Sequence, residues 1–476
     1  MLFNSVEFLL LFLPITLVVY FRLRHRQQNA FLVVASCIFY ASWDWRFLFP
    51  LLFTTSIDYA CARRMEESFA RGEPKERRKK FLVLSCITNL GLLGFFKYFN
   101  FFASSLFELG ERVGLPMPMH TIQIILPIGI SFFTFQALSY TIDVYRGELH
   151  ATKSFWDFFL AVLYFPHLVA GPIQRSANLL PQVINPRVIR RAEVEEGVHL
   201  IIWGFFKKVY IADNLAPIAN ACFAAPNASF GQTVLGVFAF TFQIYGDFSG
   251  YTDIARGIAK IMGFDFVLNF NLPYFATNPS DFWRRWHISL STWLRDYLYK
   301  SLGGNRRGEA RTLFNLMATM VLGGLWHGAA WNFVLWGFYH GAILILHRLA
   351  TPALDRLEST VFRHAQCTWF VLRVVFMFVL TCYGWLLFRA TSLHQVADMT
   401  ASLAHGGTVD WDQLAHVALI AAPLIGVQLL QLRSGALFFL RLPVFVPPLR
   451  VVVYSLMIYL MLFLGGEPQP FVYFQF

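Results

Sequence analysis

Long apolar runs separated by short basic ones dominate the chain. A membrane-crossing helix needs about 17–25 mostly apolar residues, and the first such run, 6–21, ends at Arg22, Arg24 and Arg26. Two shorter runs, 30–43 and 47–62, are joined by Asp44-Trp45-Arg46. The loop after them, 63–80, carries Arg63, Arg64, Arg71, Lys75, Arg77, Arg78, Lys79 and Lys80 and is the most basic stretch of the chain. Further spans are expected at 81–102, 122–144, 198–212, 233–262, 313–350, 368–388, 414–430 and 451–465. The 313–350 run holds Gly323-Gly324, so it is expected to kink or to split into two helices.

Two segments are too polar to span and too apolar for ordinary loops: 155–173, broken by Pro166 and Gly171-Pro172, and 281–299. Irregular backbone at membrane depth survives only where protein buries it or water reaches it, so these segments point to a site inside the bundle. No repeat of fixed period is evident, which weighs against an inverted-repeat transporter. No linker is long enough to detach a soluble domain. Residues 1–476 therefore read as one membrane domain, with N-terminal helices in 1–150, a core in 151–350 and C-terminal helices in 351–476.

Composition fits the same picture. Of 476 residues, 57% are hydrophobic and 14% charged, against roughly 45–50% and 25% in soluble domains. The six cysteines include no CxxC pair, which argues against a disulfide scaffold or a cysteine zinc site. The net charge of +11 would suggest nucleic acid in a soluble protein. Here the positive-inside bias accounts for it, placing the basic loops in the cytoplasm and the N-terminus outside, with no nucleic-acid partner. The opening MLFNSVEFLLLFLPITLVVYF lacks a basic n-region and a small-residue cleavage site, so it reads as a retained anchor.

Most of the thirteen histidines lie in loops or at interfaces, His25, His120, His150, His364, His394 and His405 among them. His327 instead stands in LGGLWHGAAWNFVLWGFYHG, flanked by Gly323, Gly324, Gly328, Ala329 and Ala330. An ionisable group in a span faces the bundle interior or a water-filled cavity, and a buried neutral imidazole can accept a proton from a hydroxyl. The plainer alternative is a histidine hydrogen-bonded to a neighbouring helix. His287 borders an amphipathic stripe in which Trp283, Trp286, Leu290, Trp293 and Tyr297 gather at helical spacing, and on the residues alone an interfacial helix with aromatic anchors is the favoured reading of that stripe. His340 and His347 are one heptad apart with no third ligand at metal-site spacing, so no metal is expected. The cluster of Arg284, Arg285, Arg295, Lys300, Arg306, Arg307 and Arg311 fits a cytoplasmic face and would also attract a polyanionic nucleotide. There is no G-x-S-x-G elbow, Walker A or HExxH motif. The one D-x-D, Asp410-Trp411-Asp412, reads as chance in a loop.

PSDFWRRWHISLSTWLRDYLY (279–299) followed by GGLWHGAAWNFVLWG (323–337) resembles the signature of membrane-bound O-acyltransferases, closest to the alginate-type branch that serves exopolysaccharide O-acetylation. FPHLVAGPIQR (165–175), GFFKKVYIADNLA (204–216), YGDFSGYTDIARG (245–257), the C-terminal FVYFQF and the opening MLFNSVEFLLLFLP extend the resemblance over essentially the whole chain.

The resemblance implies an all-α polytopic fold, a ring of about 10–12 transmembrane helices with re-entrant pieces around a central funnel. It maps the family's essential histidine onto His327 and a second, more variable one onto His287. His327 is then general base or transient acyl carrier, and His287 positions the donor or polarises its carbonyl. Trp326, Asp247, Asp253, Arg284, Arg285 and Arg295 are candidates for the donor path. Asp247 and Asp253, in an otherwise apolar run, are candidates for orienting a histidine as well, and serve equally well as helix-to-helix hydrogen-bonding groups. The implied reaction moves an acetyl group from a cytoplasmic thioester, acetyl-CoA as cosubstrate with no permanent cofactor, toward an outer hydroxyl of a secreted polysaccharide. A periplasmic SGNH-hydrolase-like partner, the polysaccharide synthesis machinery and an inner-membrane location are implied with it. D-alanyl transfer to teichoic acid and, in a different class, a polytopic glycan exporter or transporter are the rivals.

Overall fold

The computed structural model describes residues 1–115, 122, 124–168 and 171–474. His120 lies outside them, as do residue 123 of the 122–144 run, residues 169 and 170 of the 155–173 segment, and the last two residues of FVYFQF. Among the described residues every regular element is helical. Five helical stretches are long and apolar enough to cross a membrane: His25–Ala70, Lys75–Arg112, Trp331–Thr360, Gln366–Arg389 and Trp411–Ser434. Phe8–Arg22 and Pro447–Phe463 are shorter apolar helices. The protein is an all-α, multi-pass membrane protein. Its surface agrees, since Leu10 and Leu462 are 76% and 74% exposed while Asp58, Lys208 and Asp247 are buried. Water as solvent would reverse that arrangement.

The chain forms two compact units, Met1–Val198 with Ala255–Val267, and His199–Ile254 with Leu268–Phe476. In the first, the basic 63–80 stretch is not a loop. The helix Leu48–Ala70 runs through Arg63 and Arg64, and the next begins at Lys75. Charged side chains at helix ends can lie in the headgroup region while the backbone keeps its own hydrogen bonds. The 122–144 run likewise becomes helical only at Ile130, after Gly129 turns the chain with φ 76°. Polar groups inside this unit are matched to one another. Asp58 accepts from Ser85 at 2.6 Å and Asn89 at 2.8 Å, and Arg187 donates to Tyr20, Asn29 and Gln28.

In the second unit, the 313–350 run does split into helices, Glu309–His327 and Trp331–Thr360. The break falls at Gly328-Ala329-Ala330 rather than at Gly323-Gly324. Gly324 is instead a point of close approach: a Cβ there would lie 2.2 Å from the Phe333 carbonyl oxygen, and one at Gly337 would lie 2.4 Å from that of Met320. The glycines let the two helix backbones touch, as small residues do in membrane helix pairs. Asp410 also has an assigned task, accepting from the amides of Asp412 and Gln413 as N-cap of Trp411–Ser434.

Candidate active site

The site is built on the end of a helix. Glu309–His327 terminates at His327, and Gly328 takes the chain into extended backbone. A Cβ on Gly328 would lie 2.1 Å from the Phe333 ring, so a residue with a side chain would displace that ring, which packs edge-on against Phe388. The partial negative end of the helix therefore lies at His327, where a positive charge is stabilised. Asn332 donates to the carbonyl of Ala390, at 2.8 Å, and thereby ties down the end of Gln366–Arg389. That contact brings Phe388 edge-on to His327, with ring centroids 5.4 Å apart.

His287 reaches the same place by a different route. The amphipathic helix expected across 281–299 is interrupted, with Pro279–Arg285 and Ile288–Trp293 separated at Trp286-His287. His287 adopts φ 43° and ψ 53°, the left-handed region, which non-glycine residues occupy at a cost of about 1–3 kcal/mol. The segment running through Asn269 and Asn271 grips the turn. Asn271 N–H donates to the Arg285 carbonyl and Ile288 N–H donates to the Asn269 carbonyl, both at 2.9 Å. The Asn269 side-chain oxygen accepts from Ser289 N–H at 3.2 Å and from its hydroxyl at 2.8 Å. Trp286, Leu290, Trp293 and Tyr297 of the aromatic stripe are thus folded inward, and His287 is buried with them instead of lying at an interface.

The two imidazoles lie close together, with ring centroids 6.2 Å apart, inside a cage of aromatic side chains. Trp326 lies 5.0 Å from His327 and 5.9 Å from His287. Trp336 packs 5.0 Å from His327, and Phe248 packs 4.7 Å from His287. Tyr473, in FVYFQF, touches both histidines at 5.6 Å and 6.4 Å. The sequence pattern gave that tyrosine no role. His340 stands behind Trp336, 4.6 Å away, in an aromatic stack. No cluster of metal-binding side chains occurs among the described residues.

The other candidates lie at different distances from this pair. Arg284 and Arg285 pair with Asp281, and Arg295 pairs with Asp296, so their partners are neighbouring carboxylates on their own segment. Asp247 and Asp253 are ion-paired to lysines. Lys207 reaches Asp253 at 2.6 Å and Ser249 at 2.9 Å, and Lys208 reaches Asp247 at 2.9 Å and Asp213 at 2.7 Å. Sequence reasoning passed over both lysines. The available signal was their position inside an apolar run, where a cation requires an acid close by. Close backbone approach makes the pairing possible: Cβ atoms at Gly204 and Gly250 would lie 2.6 and 2.7 Å from each other's carbonyl oxygens. Gly246 and Gly250 form the small-xxx-small face of Phe230–Ile261.

An all-helical, multi-pass membrane protein that gathers two buried histidines into an aromatic pocket defines a class, the membrane-embedded proteins with a histidine-centred site. Comparison with known sequences identifies the member. The profile of MBOAT, the membrane-bound O-acyltransferase family, matches residues 148–388, and the chain belongs to that family. It is 44% identical over 428 residues to the probable alginate O-acetylase AlgI of Pseudomonas putida, covering 90% of this chain and 84% of the relative. It is 35% identical over 425 residues to the peptidoglycan O-acetyltransferase of Helicobacter pylori, covering 83% and 78%. With the teichoic acid D-alanyltransferase of Bacillus subtilis the identity is 28% over 283 residues, 56% of this chain and 69% of the relative. The protein is an O-acyltransferase, and the exporter reading is set aside.

Proposed function

We propose that the protein transfers an acetyl group from acetyl-CoA, bound from the cytoplasm, to a hydroxyl on the route to a secreted polysaccharide, with His327 as general base. The observation that carries this reading is the pair of histidines 6.2 Å apart in a buried aromatic pocket. A hydroxyl oxygen bridging two imidazoles needs about 2.6–3.2 Å to each ring nitrogen, a span compatible with rings at this spacing. A thioester needs little activation, so the protein's tasks are alignment and proton transfer. His327 takes the hydroxyl proton as the new C–O bond forms at the thioester carbonyl. The C–S bond then breaks, and the proton passes to the departing thiolate. The negative end of Glu309–His327 favours the transient imidazolium. His287, fixed by its gripped turn, donates to the carbonyl oxygen where negative charge develops.

Relatives named for O-acetylation match over 83–90% of the chain, and the D-alanyltransferase over 56%. This supports acetyl over D-alanyl as the group moved. A bacterial inner-membrane location, an outside N-terminus and a periplasmic acetyltransferase partner of SGNH-hydrolase type complete the proposal. Trp326 lines the donor path in this reading, and the exposed Arg284 and Arg295 supply positive charge at its approach. The test is binding of acetyl-CoA to the purified full-length protein in detergent or lipid discs. Saturable binding that coenzyme A competes for is expected, and no binding at millimolar donor overturns the choice of donor.

A further inference from the structure

The C-terminal segment is held against the second unit at two places. Near its start, Asn214 donates to the Leu464 carbonyl at 2.7 Å and Gly466 N–H donates to Val209 at 3.1 Å. The fit at Gly466 leaves no room for a side chain, since a Cβ would lie 2.4 Å from the Asp213 carbonyl carbon and 2.5 Å from the Asn214 nitrogen. Pro468 and Pro470 then stiffen the strap. Further along, Lys208, itself held by Asp213 at 2.7 Å, donates to the Gln469 carbonyl at 2.9 Å. Asp247 spends one oxygen on Lys208 and the other on Val472 N–H, at 2.6 Å. Phe471 and Val472 are buried, and the next residue is Tyr473, which touches both histidines.

We propose that Lys208, Asp213 and Asp247 form a buried latch that docks the C-terminal strap and so sets Tyr473 as a wall of the histidine pocket. Lys208 and Asp247 are then positioning residues, acting through the strap. The proposal rests on the reading of the histidine pair as the reaction site. Three buried charges are an expensive way to hold two helices together, because each ion gives up its hydration. Helix contact alone does not require them, since Gly204 and Gly250 already bring the backbones together. Charge-assisted bonds are short and directional, and the groups they aim at here belong to the strap. Asp247, a candidate for orienting a histidine or lining the donor path, lies one link away from the histidines, through Val472 and Tyr473.

The experiment uses the full-length protein with Cys367→Ser and Val472→Cys, which removes an exposed thiol and places one on the strap without deleting the Val472 N–H. Maleimide labelling of this thiol reports docking without any catalysis. It is measured with transfer rate and donor KM in the parent, in Asp247→Ala and in Gly466→Val. The last displaces the strap's start and leaves the charges in place, so the test survives if Asp247→Ala does not fold. Both variants are expected to label at least about tenfold faster and to transfer about tenfold or more slowly, with donor KM changed less than about twofold, the signature of a misplaced group. Unchanged labelling in both overturns the latch, and so does fast labelling with a parental transfer rate. If His327→Ala instead retains full transfer, the histidine reading fails while the labelling result stands by itself.

Discussion

Replacing Asn269 by alanine removes the acceptor that serves both the Ser289 amide, at 3.2 Å, and the Ser289 hydroxyl, at 2.8 Å. Both bonds are buried, and a buried donor deprived of its acceptor costs about 1–3 kcal/mol. The adjoining His287 turn is held in left-handed backbone at a cost of about 1–3 kcal/mol, reduced because histidine tolerates that region better than most side chains. The clamp and the strain are therefore of similar size, and the turn is expected to relax once the clamp is gone. Relaxation carries the imidazole off its 6.2 Å spacing from His327. Asn269→Ala should lower unfolding stability by about 2–4 kcal/mol and slow transfer by about 10- to 100-fold, the cost of a misplacement near 1 Å. Ser289→Ala, which keeps the backbone bond, should cost about 1 kcal/mol and affect transfer much less. The assay is transfer from radiolabelled donor by purified protein in liposomes, paired with thermal unfolding in the same lipid. An Asn269→Ala protein that loses stability yet transfers at the parental rate would refute the positioning argument.

Gly250→Val should destabilise by about 1–3 kcal/mol or more through overpacking, because its Cβ would meet the Gly204 carbonyl oxygen at 2.7 Å; an unchanged melting temperature in detergent contradicts this. Lys207→Met removes the partner of Asp253 and should cost about 3–5 kcal/mol, whereas Lys207→Met with Asp253→Leu should recover much of it. His287 sits in a turn outside the membrane-spanning helices, and burial pushes its imidazole down from 6.5 to about 3. Its neutral form is the one the fold prefers, so its contribution to stability is full above pH 6.5 and is lost as the pH falls toward 3. Melting temperatures between pH 7 and 4 should fall less steeply in His287→Gln than in the parent.

Much of the architecture is legible in the sequence because hydrocarbon imposes a simple rule, that apolar length makes a helix. The helix Gln366–Arg389 lies within two residues of the 368–388 run at either end. The rule fails where the backbone has tasks besides crossing. It misplaced the break in 313–350, because Gly323-Gly324 resembles a hinge in one dimension and Gly324 is a helix-contact point in three. It drew a continuous amphipathic helix through His287, because periodicity is blind to the hydrogen bonds that Asn269 and Asn271 supply from a different part of the chain. The sequence marks His327 and His287 separately, and the fold brings their rings to 6.2 Å. Their meeting could not be derived from spacing, since it depends on how three separate segments pack. Lys207, Lys208 and Tyr473 were within quoted motifs but had no assigned role. Lys208 and Gln469 are 261 positions apart and Tyr473 and His327 are 146 apart, and only the folded chain connects them.

The central claim is that His327 carries the proton in acyl transfer. Its most direct test is His327→Ala in the full-length protein, with membrane insertion and thermal stability checked against the parent and acetylation of the secreted polymer measured. Loss of a general base is expected to lower acetylation by about 100-fold or more while the protein remains folded in the membrane. Acetylation at the parental level in that variant would contradict the account.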